Sequence, residues 1–137
     1  MLKRSIGIGM LCLAGHAYSA EITVTITDDI TKDDSECSLR EAIEYINKGM
    51  PEAGYMGCGG KNALSTILLD KQKTYTLNAK VDVKASLALK TYYDTTVTED
   101  AVPGLNNAII KMTGKDQIFN IDHDPKDLAL ITIKEVS

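Results

Sequence analysis

Three groups of residues in this chain carry side chains suited to chemistry. Arg40 and Glu41 stand side by side in the run Cys37-Ser38-Leu39-Arg40-Glu41-Ala42-Ile43 and have the look of a catalytic pair. Asp122-His123-Asp124-Pro125 sets an imidazole between two carboxylates, the ingredients of a metal site or of general acid–base catalysis. Asp28, Asp29, Asp33, Asp34 and Glu36 gather the hard oxygen donors that calcium takes. Each group also has a structural reading, and in each that reading prevails. Ser38 and Glu41 have the Ser-x-x-Glu spacing that closes a helix N-terminus reciprocally, with Arg40 beside them free to bond a nearby carbonyl or carboxylate. Asp-x-Asp-Pro is ordinary turn chemistry, and the acidic group has no EF-hand spacing, which makes it a solvated turn. His16 lies in a leader segment, so one histidine remains; neither a Ser-His-Asp nor a Cys-His arrangement has support, and no glycine-rich phosphate loop follows a strand. The expectation is a protein with no catalytic residue, no cofactor and no metal.

The elements that position these residues follow from local patterns. A helix is predicted to begin at Leu39, with Leu39, Ala42, Ile43 and Ile46 at helical spacing and Arg40, Glu41, Glu44, Asn47 and Lys48 on or beside a wet face. Gly49 suits the left-handed position after its end, and Pro51 prevents its resumption. Cys58-Gly59-Gly60 then forms a glycine-rich turn.

The first residues read as a secretory signal peptide: Lys3 and Arg4, an apolar run from Ile6 to Ala14, and small residues at Ala17 and Ser19 before a cut that leaves Ala20 first, with cleavage after Ala20 as the neighbouring option. The run is shorter than the roughly 20 residues a bilayer span needs, so no stable span is expected once the signal is removed. Leu11 is too bulky for the small residue that lipidation at Cys12 requires. Removal leaves Cys37 and Cys58, an even number in an oxidising compartment, and a disulfide between them is predicted.

About 118 mature residues make one domain with a modest core. From 15 basic and 19 acidic residues, loss of Lys3 and Arg4 takes the formal charge from −4 to −6, so no nucleic-acid partner is expected. The absence of Trp and the single Phe119 argue against an aromatic carbohydrate platform. After Gly60 the chain changes to short runs of period two: 66–69, 74–77, 81–83, 87–91, 108–112, 117–121 and 128–133. A β-sandwich and a β-solenoid both accommodate them, and no strict repeat period is visible.

The heptapeptide Cys37 to Ile43, preceded by the strand Ile22 to Thr27 and by Asp28-Asp29, resembles the CSLREA domain. Ile67, Leu69 and Thr74 to Leu77 are similar to the first coil of that family, with Lys73 where a glycine is usual. The resemblance implies a mainly β fold: the N-terminal, capped part of a right-handed parallel β-helix of few coils with one short amphipathic α-helix. It divides the chain into a signal peptide (1–19), a cap with the motif (20–60) and the first coils (61–137). It further implies an exported, non-enzymatic protein of the periplasm, cell envelope or exterior, with an adhesion or binding role. The expected partner is a surface ligand or C-terminal coils beyond this chain. Residues 1–137 include no Gly-Gly sorting tail of the kind that ends rhombotarget-type members, so the chain is expected to be a fragment, a truncated product or a short relative. The rival reading is part of a polysaccharide-active β-helix enzyme, for which Asp82, Asp94, Asp122 and Asp124 are the candidate carboxylates. Structural roles fall to Cys37 and Cys58 as the disulfide, and to Ser38, Arg40 and Glu41 at the helix cap.

Overall fold

Side chains in the strands alternate between a buried and an exposed face, and that alternation sets the architecture. Tyr75 and Leu77, Val81 and Val83, and Leu87 and Leu89 point inward, while Thr74 before the first pair and Asp82 within the second face out. A computed structural model describes residues 19–94, 96–97, 106–122 and 130–137. It contains strands β1 (Ala20–Thr23), β2 (Ala63–Asp70), β3 (Thr74–Leu77), β4 (Val81–Val83), β5 (Leu87–Tyr92), β6 (Ile109–Met112), β7 (Phe119–Ile121) and β8 (Ile131–Lys134), and helix α1 (Leu39–Asn47). The protein is mainly β, as expected, and every ladder between these strands is parallel.

The strands form one sheet in the order β1-β2-β5-β8 and two pairs, β3-β6 and β4-β7. From β2 onward, each strand pairs with the strand three elements later. Parallel partners need a long crossover connection, and here β3 and β4 make up the connection between β2 and β5. The registers stack like on like. Ile22, Ile67, Leu89 and Ile133 form one column, Tyr75 sits against Ile110, and Val81 against Phe119. Apart from Ile133, these residues share a single apolar cluster with the buried face of α1. Between Ile43 of α1 and the apolar residues of β4, β5, β7 and β8 the residual void is only ≈10 Å³, so side chains fill the space beneath the helix there.

Strand boundaries depart from expectation where hydrogen bonding changes partner. β1 ends at Thr23, not Thr27. Val24 N–H still donates to Leu68 at 3.1 Å, but Thr25 N–H turns away to Cys37 at 2.8 Å. The segment expected as 128–133 is described from 130 onward, with β8 at Ile131–Lys134.

At the end nearest α1, each of the three outer strand edges is occupied, and by a different device. β1 lies along β2. Against β3, Thr76 N–H donates to the Thr27 carbonyl (2.9 Å) and Asn78 N–H to Asp29 Oδ2 (2.8 Å). Against β4, the amide of Asn47 behaves as a short strand, its Nδ2 donating to Asp82 O (2.8 Å) and its Oδ1 accepting from Lys84 N–H (2.9 Å). At the opposite end, Ile121 and Ile133 are about half exposed.

Candidate functional site

Every residue of the heptapeptide is engaged in holding the loop before α1 and the strands beside it. Ser38 Oγ accepts from Glu41 N–H (3.2 Å) and donates to the Ile30 carbonyl (2.6 Å). Glu41 returns the cap, Oε2 accepting from Ser38 N–H (2.8 Å), while Oε1 accepts from Lys32 N–H (2.6 Å). Leu39, Ala42 and Ile43 are buried in the common core. Arg40 Nε and Nη2 donate to the two oxygens of Asp29 (2.7 and 2.8 Å), and its Nη2 and Nη1 reach the Ala79 and Lys80 carbonyls (2.7 and 3.2 Å). One side chain thereby binds the 28–36 loop to the turn before β4.

Two expectations about this region are corrected. Glu41 is not on a wet face: it is 1 % exposed, because the 28–36 loop folds across it. The acidic group is not uniformly solvated either. Asp28, Asp33, Asp34 and Glu36 are exposed, but the Asp29 side chain is 4 % exposed beneath Arg40. Burial alone would push the Asp29 carboxyl up. The Arg40 hydrogen bonds, the Asn78 N–H and the Arg40 charge outweigh it and hold the carboxyl below the usual value.

The helix ends in a Schellman arrangement, with Gly49 N–H donating to Ile46 O (2.9 Å) and Met50 N–H to Tyr45 O (3.1 Å). Tyr45, which the apolar pattern of the helix does not single out, is fully buried. Its hydroxyl accepts from Gly60 N–H at 3.1 Å. The ring lies against Gly59, where an added Cβ would fall 2.2 Å from ring carbons at φ +70°. Cys58, immediately before it, is joined to Cys37 with a Cα–Cα distance of 5.0 Å, within the normal disulfide range. Gly59→Ala combines left-handed strain with this clash and is expected to cost about 2–3 kcal/mol. Gly49→Ala, at φ +85° with open space around it, should cost only about 1–2 kcal/mol. Denaturant titration of the two variants checks this, and equal losses would show that the Tyr45 contact contributes nothing.

Beside this knot lies a groove of ≈440 Å³ between the outer face of α1 and the β4 segment, bordered by Arg40, Glu44, Tyr55, Lys80, Asp82 and Lys84. Tyr55 hydroxyl donates to Glu44 Oε2 (3.0 Å), and the Lys48 ammonium sits 4.9 Å from the centre of the Tyr55 ring. Asn120, paired with Asp82 across β4-β7, donates from Nδ2 to Asp82 Oδ1 (2.8 Å).

No protein-family model, curated protein or solved structure matches the chain.

Of the four carboxylates considered for glycoside chemistry, Asp82 alone borders the groove among the described residues. Asp94 closes a turn beyond β5, accepting from Thr96 N–H and Oγ1 (2.9 and 2.6 Å); these bonds hold its pKa below the ordinary value. Asp122 follows β7, its N–H bonded to Val83 O at 2.9 Å. His123 and Asp124, like residues 1–18 of the segment 1–19 expected as a signal peptide, lie outside the described residues. Among the described residues, no group of three or more His, Cys, Asp or Glu is placed to hold a metal. No helix among them is long and apolar enough to cross a membrane. The groove itself escapes sequence reasoning. Arg40, Glu44, Asn47 and Lys48 are recognisable as one helix face, but nothing local places Lys80 to Lys84 opposite it.

Proposed function

We propose that this chain is the capped N-terminal part of an exported, non-enzymatic cell-envelope or surface protein, a right-handed parallel β-helix that serves as a scaffold with a binding or adhesion role. The observation that carries the reading is the closure of all three outer edges at one end, on β2, β3 and β4. Open edges recruit further strands, so an end sealed by a strand, a loop and a helix marks where a stack of coils starts. Parallel partners three elements apart, with like residues stacked in register, are what successive three-strand coils produce. The heptapeptide resembling the CSLREA motif is then a fastener: its polar groups are committed to the loop, the helix cap and the turn before β4, which supports a structural role over a catalytic one. Export agrees with the charged and apolar start of the chain and with a disulfide that persists in oxidising compartments.

The test is hydrogen exchange on protein exported to the periplasm, with its mass recorded. Amides of β2 to β5 should be the most protected, with protection falling toward β7 and β8, and the mass should correspond to a start at Ala20 and one disulfide. Uniformly fast exchange in β2 to β5 would overturn the cap reading, and an uncleaved start would overturn export.

A further inference from the structure

We propose that the groove between α1 and β4 is a binding site for a carboxylate-bearing oligosaccharide, which the lysines hold by its carboxylates and Glu44 and Asp82 hold by its hydroxyls. The inference gives a ligand class to the binding role proposed above and rests on that role.

The groove is built, not incidental. Asn47 fixes β4 to α1, Arg40 fixes the preceding turn, and Tyr55 and Asn120 orient the two carboxylates. Its ≈440 Å³ falls within the roughly 300–1,000 Å³ of ligand pockets. The charges on its walls are unequally committed. Arg40 is consumed by Asp29 and two carbonyls. Lys80 and Lys84 are exposed, and neither forms an ion pair among the described residues. With Lys48 above Tyr55, three lysines line one groove of a chain whose net charge is −4. This local reversal of sign draws an anion.

The remaining walls decide which anion. The β4 backbone is bonded to β7 on one side and to Asn47 on the other, so no extended peptide can add there as a strand. The walls are mostly polar, with Val81 the one aliphatic residue among them, which gives an amphipathic helix nothing to bury. A bare phosphate or polyphosphate would satisfy the lysines and be repelled by Glu44 and Asp82. A carboxylated sugar meets both requirements, since its hydroxyls donate to the two carboxylates while its carboxylate accepts from the ammonium groups.

The experiment is calorimetric titration of the exported protein with short oligogalacturonates, with neutral maltohexaose and with inorganic polyphosphate. Oligogalacturonate should bind at least about tenfold tighter than either of the others. Lys80→Ala/Lys84→Ala, two exposed positions, should weaken it by about tenfold or more, and Glu44→Gln/Asp82→Asn should weaken it while strengthening polyphosphate. The inference is overturned by absence of oligogalacturonate binding, by equal binding of the neutral sugar, by polyphosphate binding as tightly, or by an unchanged double-lysine variant. Protection of β2 to β5 in the same sample keeps such a failure distinct from failure of the cap reading.

Discussion

Arg40→Ala is expected to destabilise the protein by about 3 kcal/mol, the lower part of the range for breaking a buried ion pair, because Arg40 retains some solvent contact. The variant leaves the Asp29 carboxylate, 4 % exposed, with only the backbone N–H groups of Asn78 and Ala79 as donors, and it strips two carbonyls in the turn before β4 of their partner. Arg40→Lys should recover only a minor part, since an ammonium cannot span both carboxylate oxygens and reach two carbonyls. The pH dependence follows from the direction of the Asp29 shift. A carboxyl held below its ordinary value of 3.8 contributes stability that is complete above that value and is lost as pH falls through the depressed one. Without Arg40 this contribution is already missing. The stability difference between wild type and Arg40→Ala should therefore be largest near neutrality and shrink as pH drops below the ordinary carboxylate value. Denaturant titrations across that interval measure it, and a difference independent of pH would show that Asp29 is not the partner through which Arg40 acts.

Loss of the Cys37–Cys58 bond should have a comparable effect. The two positions are 21 residues apart, and closing a loop of that length contributes about 3 kcal/mol by the chain-entropy estimate. Both cysteines are buried, at 1 % and 2 % exposure, so Cys37→Ala/Cys58→Ala is the suitable variant, free of added buried hydroxyls. The expected results are a midpoint shift of that size, faster exchange in 28–60, and no alkylatable thiol in the exported wild type before reduction. Two reactive thiols without reductant would remove the premise.

Much of the cap is legible locally, because its signals are short-range. Ser38 and Glu41 are three residues apart, Gly49 and Pro51 end the helix, and two cysteines lie beyond the segment that reads as a signal peptide. Most strands are visible for the same reason, since alternation needs only a few neighbours. The three-dimensional order of the strands is not. Ile67 pairs with Leu89, Tyr75 with Ile110, Val81 with Phe119 and Leu89 with Ile133, at separations of 22, 35, 38 and 44 residues. Turns of unequal length stretch each interval differently, so the sequence carries no fixed period. The partners within the cap are hidden in another way. Asp29 looks like one acid among several until Arg40, eleven residues later, is brought onto it, and Asn47 looks solvent-facing until β4 arrives thirty-five residues on.

The three filled edges also bear on the order in which the chain acquires structure. A parallel strand has no neighbour in sequence to pair with, and distant pairing is slow because loop closure precedes any gain. Residues 20–60 precede β2 and every later strand in the chain. A segment locked there offers prepared edges to β2, β3 and β4 as they emerge, and these in turn template β5, β6 and β7. Acquisition of structure then runs from one end, each strand closing a single loop onto an existing surface. On this account the heptapeptide acts as the nucleus of the molecule, and substitutions there should slow folding more than they hasten unfolding.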